Sequence, residues 1–363
     1  MVVPLDWGLG HAARCIPIIK ILLNAGFKVV AAAEGDQKIL LATAFPAMEI
    51  FPVPGYRVRY GSTAGATIAK IFFQIPKILM AINRENRWLR DIIRTKNIAA
   101  VISDNRYGLF CKSIPTVFIS HQLLIKTSLG KLADGFLQRL NYAFIQRFTF
   151  CWVPDAAGPE HLAGELSHPQ KLPRVAVRYI GWLSRFGATA AAGEGLLVLL
   201  SGTEPQRTIL EKKVIAQLAG SGIPTTLVRG LPAASDVLPG SPTLQIFNFK
   251  DAGELAVLAR SASVILCRSG YSSIMDLLPL HKKCILIPVP GQEEQRYLAD
   301  YLSGRNLVLY ASQGNFSLPH LYVKACSANL SLLPAGDVNS LTAACLELFA
   351  YVRSRQPTRA LTK

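Results

Sequence analysis

The first half of the chain alternates short apolar runs with longer amphipathic stretches. Val2–Leu5 is apolar, a glycine-rich turn follows, and apolar residues spaced three to four apart then predict a helix over residues 11–25. Continuous apolar runs of this kind are typical of buried strands in a parallel sheet. The further runs of the first half lie at 27–33, 48–53, 98–103, 116–120 and 151–153. Strands that alternate with helices predict a doubly wound α/β domain.

The second half repeats this alternation. Its predicted strands lie at 196–200, 225–228, 244–247, 264–267 and 284–288, and its predicted helices at 205–219, 252–260, 271–280, 293–303 and 337–353. A Gly- and Ala-rich segment, 186–195, separates the halves and is typical of a linker. We therefore expect an α/β protein with two Rossmann-like, doubly wound domains that face each other across a cleft. The expected division is an N-terminal domain at 1–180, a C-terminal domain at 181–345, and a helix end with a basic tail at 346–363.

Composition excludes several classes of protein. The 363 residues are 50% hydrophobic and 17% charged, which suits two buried cores and excludes a disordered or collagenous chain. The seven cysteines stand apart without a C-x-x-C pair, as is typical of reduced thiols in a cytoplasmic protein. Because the sequence contains no run of 18 apolar residues, we predict that it does not span a membrane.

The charge is strongly positive. Basic residues outnumber acidic ones by 39 to 23, and 22 of the 39 lie in residues 1–180. A positive field attracts anions. The sequence lacks zinc-ligand spacing, an aromatic RNP motif and an Arg-rich arm, so we expect no nucleic-acid partner. Basic residues among long apolar side chains indicate instead an anionic membrane surface.

Residues 68–96 concentrate this pattern of apolar and basic side chains. Large apolar residues crowd the first half of the segment, and seven basic residues are spread along it: Lys70, Lys77, Arg84, Arg87, Arg90, Arg94 and Lys96. A second patch extends the first: residues 123–126, Lys131, Arg139 and Arg147. The alternative is that the apolar residues face the core of the N-terminal domain while the charges lie in solvent.

A glycine-rich turn joins the first predicted strand to the first helix. Gly8 and Gly10 allow backbone N–H groups to approach an anion, and the helix N-terminus adds a partial positive charge. The spacing also fits the dinucleotide fingerprint G-x-G-x-x-A, with Glu34 as the ribose-binding acid. We disfavour a nicotinamide dinucleotide because Trp7 and His11 would crowd its pyrophosphate. A tight turn without a ligand is the other alternative.

His11 is the first candidate for catalysis. The helix dipole favours a neutral imidazole at a helix N-terminus, and a neutral imidazole can act as a general base. Asp104, which follows the predicted strand 98–103, is the alternative base, although it could equally cap a loop through Asn105. His121 follows another predicted strand and could reach the same cleft. The sequence has no D-x-D motif, so we expect no metal.

The most specific stretch of the sequence is Cys267–Asp276, which is followed by Ile287–Gln295. Ser269-Gly270 lies between a predicted strand and a helix, where backbone amides and hydroxyls suit a diphosphate. Asp276 stands two turns into that helix and could accept hydrogen bonds from both ribose hydroxyls, while Gln295 could reach a sugar hydroxyl. The alternative is a capped helix with solvated polar residues.

These stretches resemble the GT-B glycosyltransferases related to the peptidoglycan lipid-II-forming N-acetylglucosaminyltransferase and to the plastid galactolipid synthases. Their C-terminal domains carry R-S-G-x-[ST]-[ST]-x-x-[ED], then I-P-x-P and a Gln-rich helix start. Arg268–Asp276 and Pro288–Gln295 match these motifs, with Asp276 where Glu is commoner. The resemblance implies that Asp276 binds the nucleotide ribose, that Ser269 and Gly270 face the diphosphate, and that Gln295 meets the donor sugar. It places six residues in the donor site: Arg268, Ser269, Gly270, Ser273, Asp276 and Gln295.

Looser matches follow in the order expected of that family. Ser201-Gly202-Thr203 resembles its Gly-Gly-Ser loop, which implies that Gly202 and Thr203 bind phosphate. Arg185 stands where the junction between the domains has a phosphate-facing arginine, although the preceding Asn-Pro is absent. Phe249-Lys250 occupies the loop that reads the uracil edge. The resemblance also implies that the glycine-rich turn with its histidine lies near the acceptor, for which Gly8, Gly10 and His121 are the candidate contacts.

The expected function is transfer of a sugar, an N-acetylhexosamine or a hexose, from a UDP-linked donor to a hydroxyl of a lipid-linked or membrane-associated acceptor. The N-terminal domain would bind the acceptor and the C-terminal domain the nucleotide sugar, with no metal and no cofactor besides the donor. We expect a cytoplasmic protein that is peripheral on the inner face of the membrane through residues 68–96. The alternatives are a UDP-sugar 2-epimerase, which has the same fold, and a non-catalytic sugar-nucleotide-binding protein.

Overall fold

The computed structural model describes residues 1–6, 8–55, 64–127, 130–187, 193–333, 337 and 339–355. In the helix that begins at Ala64, side chains are described from residue 76 onward. The predicted roles of Trp7, of the first third of segment 68–96 and of the basic tail therefore lie outside the described residues.

Seven parallel strands form the sheet of the N-terminal half, in the order β3-β2-β1-β4-β5-β6-β7. The strands are β1 (Val2–Val3), β2 (Ala31–Ala32), β3 (Ile50–Phe51), β4 (Val101–Asp104), β5 (Thr116–Ile119), β6 (Phe150–Val153) and β7 (Ala176–Tyr179). The helices are α1 (Leu9–Asn24), α2 (Gly35–Ala44), α3 (Ala64–Lys96) and α4 (Lys131–Ile145). The strand order reverses at β1, between β2 and β4, which is where open α/β sheets bind ligands.

The C-terminal half contains a six-stranded parallel sheet with the order β10-β9-β8-β11-β12-β13. Its strands are β8 (Leu196–Leu199), β9 (Thr225–Val228), β10 (Leu244–Phe247), β11 (Val264–Cys267), β12 (Lys283–Leu286) and β13 (Leu309–Tyr310). Its helices are α5 (Gln206–Leu218), α6 (Ala252–Ser261), α7 (Tyr271–Leu277), α8 (Glu293–Gly304), α9 (Leu318–Ser327) and α10 (Asn339–Arg355). A 3₁₀ turn, Leu278–Leu280, continues α7. The expectation of two Rossmann-like sheets is confirmed.

Some predicted elements differ in length or were missed. The run 27–33 forms a strand only at Ala31–Ala32, because its neighbour β1 has two residues to pair with and the register joins Val2 to Ala31. β7 was missed because it is an edge strand whose residues are half-buried or exposed, so that it lacks a continuous apolar run. β13 was also missed, although it lies in an apolar run at 307–310.

The last helix returns to the N-terminal half. In α10, Leu348 is buried, Phe349 stacks on the ring of Phe27, and Glu347 pairs with Arg178 of β7 at 2.7 Å. The chain therefore crosses between the two halves twice, once before β8 and once before α10. After this second crossing, side chains of α10 pack against the N-terminal half.

The two halves also touch directly at the carboxyl ends of their strands. The hydroxyl of Ser272 in α7 donates to the carbonyl of Gly10 in α1 at 3.0 Å, and the hydroxyl of Tyr271 donates to the carbonyl of Pro154 at 2.7 Å. A Cβ at Gly10 would lie 2.9 Å from the Ser272 hydroxyl, so glycine permits this approach of the two helix starts. The cleft between the sheets is therefore narrow where α1 faces α7.

Among the helices that the structure describes, none combines the length and the apolar character that a membrane-spanning helix requires.

Candidate active site

His11 and Asp104 meet at the reversal point of the N-terminal sheet. Gly8, at φ +89°, turns the chain from β1 into α1 and brings His11 into the first turn of the helix. Asp104 is the last residue of β4, the strand beside β1, and is fully buried. His11 Nδ1 lies 2.9 Å from Asp104 Oδ2. The sequence offered these two residues as alternative bases, and the structure joins them as a hydrogen-bonded pair.

Arg14 completes this cluster and was not singled out from the sequence. Its side chain is 2% exposed, and its Nε donates to both oxygens of Asp104 at 2.9 Å. Its Nη2 donates to Asp104 Oδ1 and lies 2.9 Å from His11 Nδ1. The available signal was its position three residues after His11, because residues i and i+3 share one face of a helix.

The pKa values of this cluster are set by opposing effects. Burial and the positive charge of Arg14 lower the pKa of His11, and Asp104 opposes them only in part. Burial alone would raise the pKa of Asp104, but the charges and hydrogen bonds of Arg14 and His11 outweigh it and lower that pKa. The pair therefore consists of a neutral imidazole and an ionised carboxylate, the charge states that a general base and its partner require.

His121 extends the cluster to the C-terminal half. It follows β5, stacks on the ring of Tyr271 at a centroid distance of 4.1 Å, and lies 3.3 Å from Arg14 Nη1 through its Nδ1. Its Nε2 is 2.7 Å from Glu294 Oε1 at the start of α8. The charges of His121 and Arg14 lower the pKa of Glu294 although its burial would raise it. Glu294 was also missed, and its signal was its position next to Gln295 in the matched motif.

On the C-terminal side, two predicted donor-site residues bind each other. Asp276 Oδ1 accepts a hydrogen bond from the backbone N–H of Arg185 at 2.8 Å. Its Oδ2 accepts from Arg185 Nε at 2.9 Å and from Nη2 at 2.6 Å. The carboxylate is 3% exposed and the guanidinium 15%. The residues assigned by resemblance to the ribose and to a phosphate thus form one nearly buried ion pair.

Three other predicted donor-site residues fix the loops around the helix starts. Arg268 is buried and donates to the carbonyls of Ile287, Pro288 and Gln206, and its burial lowers its pKa to about 10. The Ser269 hydroxyl donates to the carbonyl of Gln295 at 2.7 Å. Gln295 Oε1 in turn accepts from the backbone N–H of Val289 at 3.0 Å. These side chains hold β11, α8 and the Pro288 loop in place.

The remaining predicted donor-site residues lie at the same carboxyl edge of the second sheet. Gly202 and Thr203 follow β8 and are exposed, and Gly270 begins α7 with no atom within 4 Å of the position that a Cβ would take. Ser273 is half-buried in the first turn of α7. Phe249 is half-buried after β10, and Lys250 pairs with Glu254 at 2.6 Å. The two glycines and Thr203 therefore offer backbone N–H groups and a hydroxyl at this edge.

Several solved structures that resemble this arrangement of two sheets are glycosyltransferases. The spinosyn forosaminyltransferase SpnP matches with a TM-score of 0.59 and 12% identity over 98% of this chain and 94% of that one. MurG of Acinetobacter baumannii matches with a TM-score of 0.56 and 14% identity over 96% of this chain and 98% of that one. At these identities the likeness shows the fold, which is GT-B.

The sequence of the second sheet decides the class. Residues 208–326 match the Glycosyltransferase family 28 C-terminal domain. This chain is a glycosyltransferase. A curated relative, an uncharacterized glycosyltransferase of Methanosarcina acetivorans, is 23% identical over 310 residues, which are 79% of this chain and 79% of that protein. The matched domain includes the predicted residues from Phe249 to Gln295.

One cluster of this glycosyltransferase has the residue types of a metal site. Asp155, His161 and His168 lie close together. Both oxygens of Asp155 already accept hydrogen bonds, from the N–H groups of Leu162 and Ala163 among others, and the two imidazole rings stack at 4.2 Å. A carboxylate whose oxygens already accept several hydrogen bonds is a poor ligand. The cluster instead orders the loop after β6, which packs on α8 where Arg305 donates to the carbonyl of His161 at 2.7 Å.

Proposed function

We propose that this glycosyltransferase transfers a sugar from UDP to a hydroxyl of a lipid-linked or membrane-associated acceptor, without a metal. The observation that carries the proposal is the pair of His11 and Asp104, which lies across the narrow cleft from the open start of α7 at Gly270. An acceptor hydroxyl beside His11 and a donor diphosphate beside Gly270 would share one space.

His11 serves as the general base. With the Nδ1 proton donated to Asp104, its Nε2 is left to accept the proton of the acceptor hydroxyl. The oxygen then forms a bond to the anomeric carbon, the bond from that carbon to the diphosphate oxygen breaks, and the nucleoside diphosphate leaves with the electron pair. Asp104 stabilises the imidazolium that results.

The leaving diphosphate gains negative charge, which fixed dipoles can stabilise without a metal. The backbone N–H groups at Gly270 and at Gly202, with the hydroxyl of Thr203, supply such dipoles at the carboxyl edge of the second sheet. A similar solved structure, the spinosyn rhamnosyltransferase SpnG complexed with thymidine diphosphate, has a TM-score of 0.51 and 15% identity to this chain. It supports a nucleoside diphosphate as the leaving group. The choice of uracil as the base rests on the sequence resemblance at Phe249-Lys250.

The membrane acceptor is supported by exposed apolar side chains on α3 and α4, which we call the apolar ridge. Five large apolar side chains on α3 and α4 are 43% to 94% exposed: Leu79, Met80, Leu132, Phe136 and Leu140. The exposed cations Lys131 and Arg139 lie on α4 beside them. Exposed apolar residues bordered by cations are suited to an anionic bilayer surface. Other apolar residues of α3, such as Ile82 and Leu89, are buried in the domain, so the helix serves the core as well as this ridge.

The donor site is tested by thermal unfolding with UDP, GDP, TDP and UDP-sugars. A ligand at 100 times its dissociation constant stabilises the folded protein by about 2.7 kcal/mol, which raises the melting temperature by a few degrees. Gly270→Val is the informative variant, because the site has room for the side chain and φ is −70°. We expect Gly270→Val to fold and to lose the shift. Gly304→Val, at another open glycine at the C-terminal end of α8, is the matched control and should keep it.

Each outcome of this titration has a definite meaning. A shift with UDP compounds alone supports the proposed donor, and a shift with GDP or TDP alone replaces uracil by another base. No shift with any nucleotide, from protein shown to be folded, would contradict the proposal. Sugar interconversion in the absence of an acceptor would favour the 2-epimerase.

A further inference from the structure

The side chain of Arg14 contacts three of the polar residues that line the cleft. Its guanidinium is buried and donates to Asp104 through Nε and Nη2, while Nη2 and Nη1 lie 2.9 and 3.3 Å from the Nδ1 atoms of His11 and His121. A guanidinium remains protonated in proteins and has only donors, so it brings one permanent positive charge into this buried cluster. The proposed chemistry does not use Arg14 directly, because neither the proton nor the sugar needs to pass through it.

The consequence for Asp104 is that its negative charge is already compensated. Two guanidinium nitrogens bind the carboxylate side-on, which is the strong bidentate form of this ion pair. A free buried carboxylate would strongly favour a charged imidazolium next to it. A compensated carboxylate still accepts the Nδ1 proton of His11 and orients the ring, but it favours the imidazolium much less.

We propose that Arg14 is a positioning residue for the catalytic pair. It holds the Asp104 carboxylate and compensates its charge, so that His11 is kept as an uncharged base. This inference rests on the proposed function of His11, but the state of the imidazole can be measured without any substrate.

Among the residues that the structure describes, the charged groups around His11 are consistent with this role. Arg14 comes from α1 itself, Asp104 from β4, His121 from the segment after β5, and Glu294 from α8. Burial and Arg14 lower the pKa of His11, and Asp104 is the group that raises it. The buried thiol of Cys15 lies beside Asp104 and Arg14, and burial and Asp104 raise its pKa, so it stays uncharged.

The other terminal nitrogen of the Arg14 guanidinium, Nη1, contacts His121. Arg14 Nη1 lies 3.3 Å from His121 Nδ1. On the other side of the ring, His121 Nε2 lies 2.7 Å from Glu294 Oε1. One guanidinium thus contacts both imidazoles that the first half presents to the cleft.

The test is a histidine titration by NMR on the full chain, with isotope-labelled imidazoles assigned through His11→Gln. We expect the pKa of His11 to rise by about one unit in Arg14→Gln, because the Asp104 charge is no longer compensated. Arg14→Lys retains the charge without the side-on pair and should fall between the two. An unchanged His11 pKa in folded Arg14→Gln would overturn the proposal.

A double variant that removes both charges of the pair is the control for a folding defect in Arg14→Gln. Arg14→Gln leaves Asp104 buried with a weaker partner, whereas Arg14→Gln/Asp104→Asn removes both charges together. In this double variant we expect the pKa of His11 to return towards its value in the unaltered protein. A pKa that stays raised in the double variant would show that Asp104 is not the intermediary and would contradict the proposal.

The rate of sugar transfer against pH gives the functional readout. The acidic limb of kcat should move to higher pH by the same unit in Arg14→Gln, so that the rate falls about tenfold at a pH well below both pKa values and changes little at pH 8. If the pKa of His11 rises and the acidic limb does not move, Arg14 controls the imidazole but His11 is not the base. If even the unaltered protein transfers no sugar, the proposed function fails while the NMR result on Arg14 stands.

Discussion

The ion pair of Arg185 and Asp276 joins the segment after β7 to α7 inside the second half of the molecule. Removal of one member of a nearly buried pair leaves the other charge without compensation, which costs more than the pair itself contributes. We expect Asp276→Ala to lower the free energy of unfolding by about 2–3 kcal/mol, a value reduced from the fully buried case because Arg185 is 15% exposed. Urea denaturation followed by circular dichroism measures this change.

A double-mutant cycle isolates the pair from the rest of the site. If the ion pair accounts for the loss, Arg185→Ala/Asp276→Ala should cost less than the sum of the two single variants. The exposed pair of Arg94 and Asp91 on α3 provides the control cycle, where we expect under about 1 kcal/mol of coupling. Additive losses at Arg185 and Asp276 would show that the two residues are independent.

For single residues, the sequence predicted which residues are functional better than it predicted which of them are in contact. His11 and Asp104 were recognised because each ends or begins an element at the sheet edge, but only the strand order, with β1 beside β4, shows that they meet. Arg14 and Glu294 were missed because their importance depends on partners that are distant in the sequence. Asp104 lies 93 residues from His11 and 90 residues from Arg14, and Glu294 lies 173 residues from His121. Such contacts have no local pattern.

Helix α4 presents an apolar edge that a solvent-exposed helix does not need. Leu132, Phe136 and Leu140 are spaced four apart and share one face, which is 44% to 94% exposed. We expect binding to phosphatidylglycerol vesicles that is weaker with phosphatidylcholine, and Leu132→Ser/Phe136→Ser should reduce it at least about tenfold through lost apolar burial. Sedimentation with vesicles measures the bound fraction.

The matched control replaces exposed apolar residues elsewhere. Val257→Ser/Val323→Ser changes side chains that are 61% and 66% exposed on α6 and α9 of the second half. This variant should bind vesicles as the unaltered protein does. An equal loss of vesicle binding in both double variants would mean that the binding is not specific to α4. If the unaltered protein does not bind vesicles, the proposed membrane-binding surface is contradicted.

Strand boundaries were predicted best in the second sheet. There β8, β9, β10 and β11 begin at the predicted residues and end within one residue of the prediction, because each pairs over all four residues with a neighbouring strand. Helix α3 was predicted only as an interfacial segment, since its apolar residues serve both the domain core and the exposed ridge.

On the scale of the whole molecule, the cleft is closed by contacts between titratable groups from both halves. His11 and Asp104 come from the first half, Glu294 from the second, and His161 lies on the loop that packs against α8. The pKa values of all four are lowered in the folded protein, with burial and neighbouring positive charge as the causes for the two histidines. The stability of the closed molecule should therefore depend on pH in a defined direction.

A lowered pKa means that the unfolded chain binds its proton at a higher pH than the folded chain does, so stability falls as the pH decreases. His11 and His161 contribute stability that is complete above about pH 6.5, the ordinary value for histidine, and is lost as the pH falls towards their folded values. Asp104 and Glu294 contribute stability that is present above about pH 4.3 and is lost below it.

We therefore expect the free energy of unfolding to fall by on the order of 1 kcal/mol between pH 7.5 and 5.5, and more steeply below pH 4.3. Urea denaturation at a series of pH values measures this profile. His11→Gln should flatten the upper step because it removes one of the two groups that produce it, whereas His320→Gln, at an exposed position on α9, controls for the loss of a histidine. Stability that rises on acidification to pH 5.5 would contradict the neutral imidazole at His11 and, with it, the base on which the proposed transfer depends.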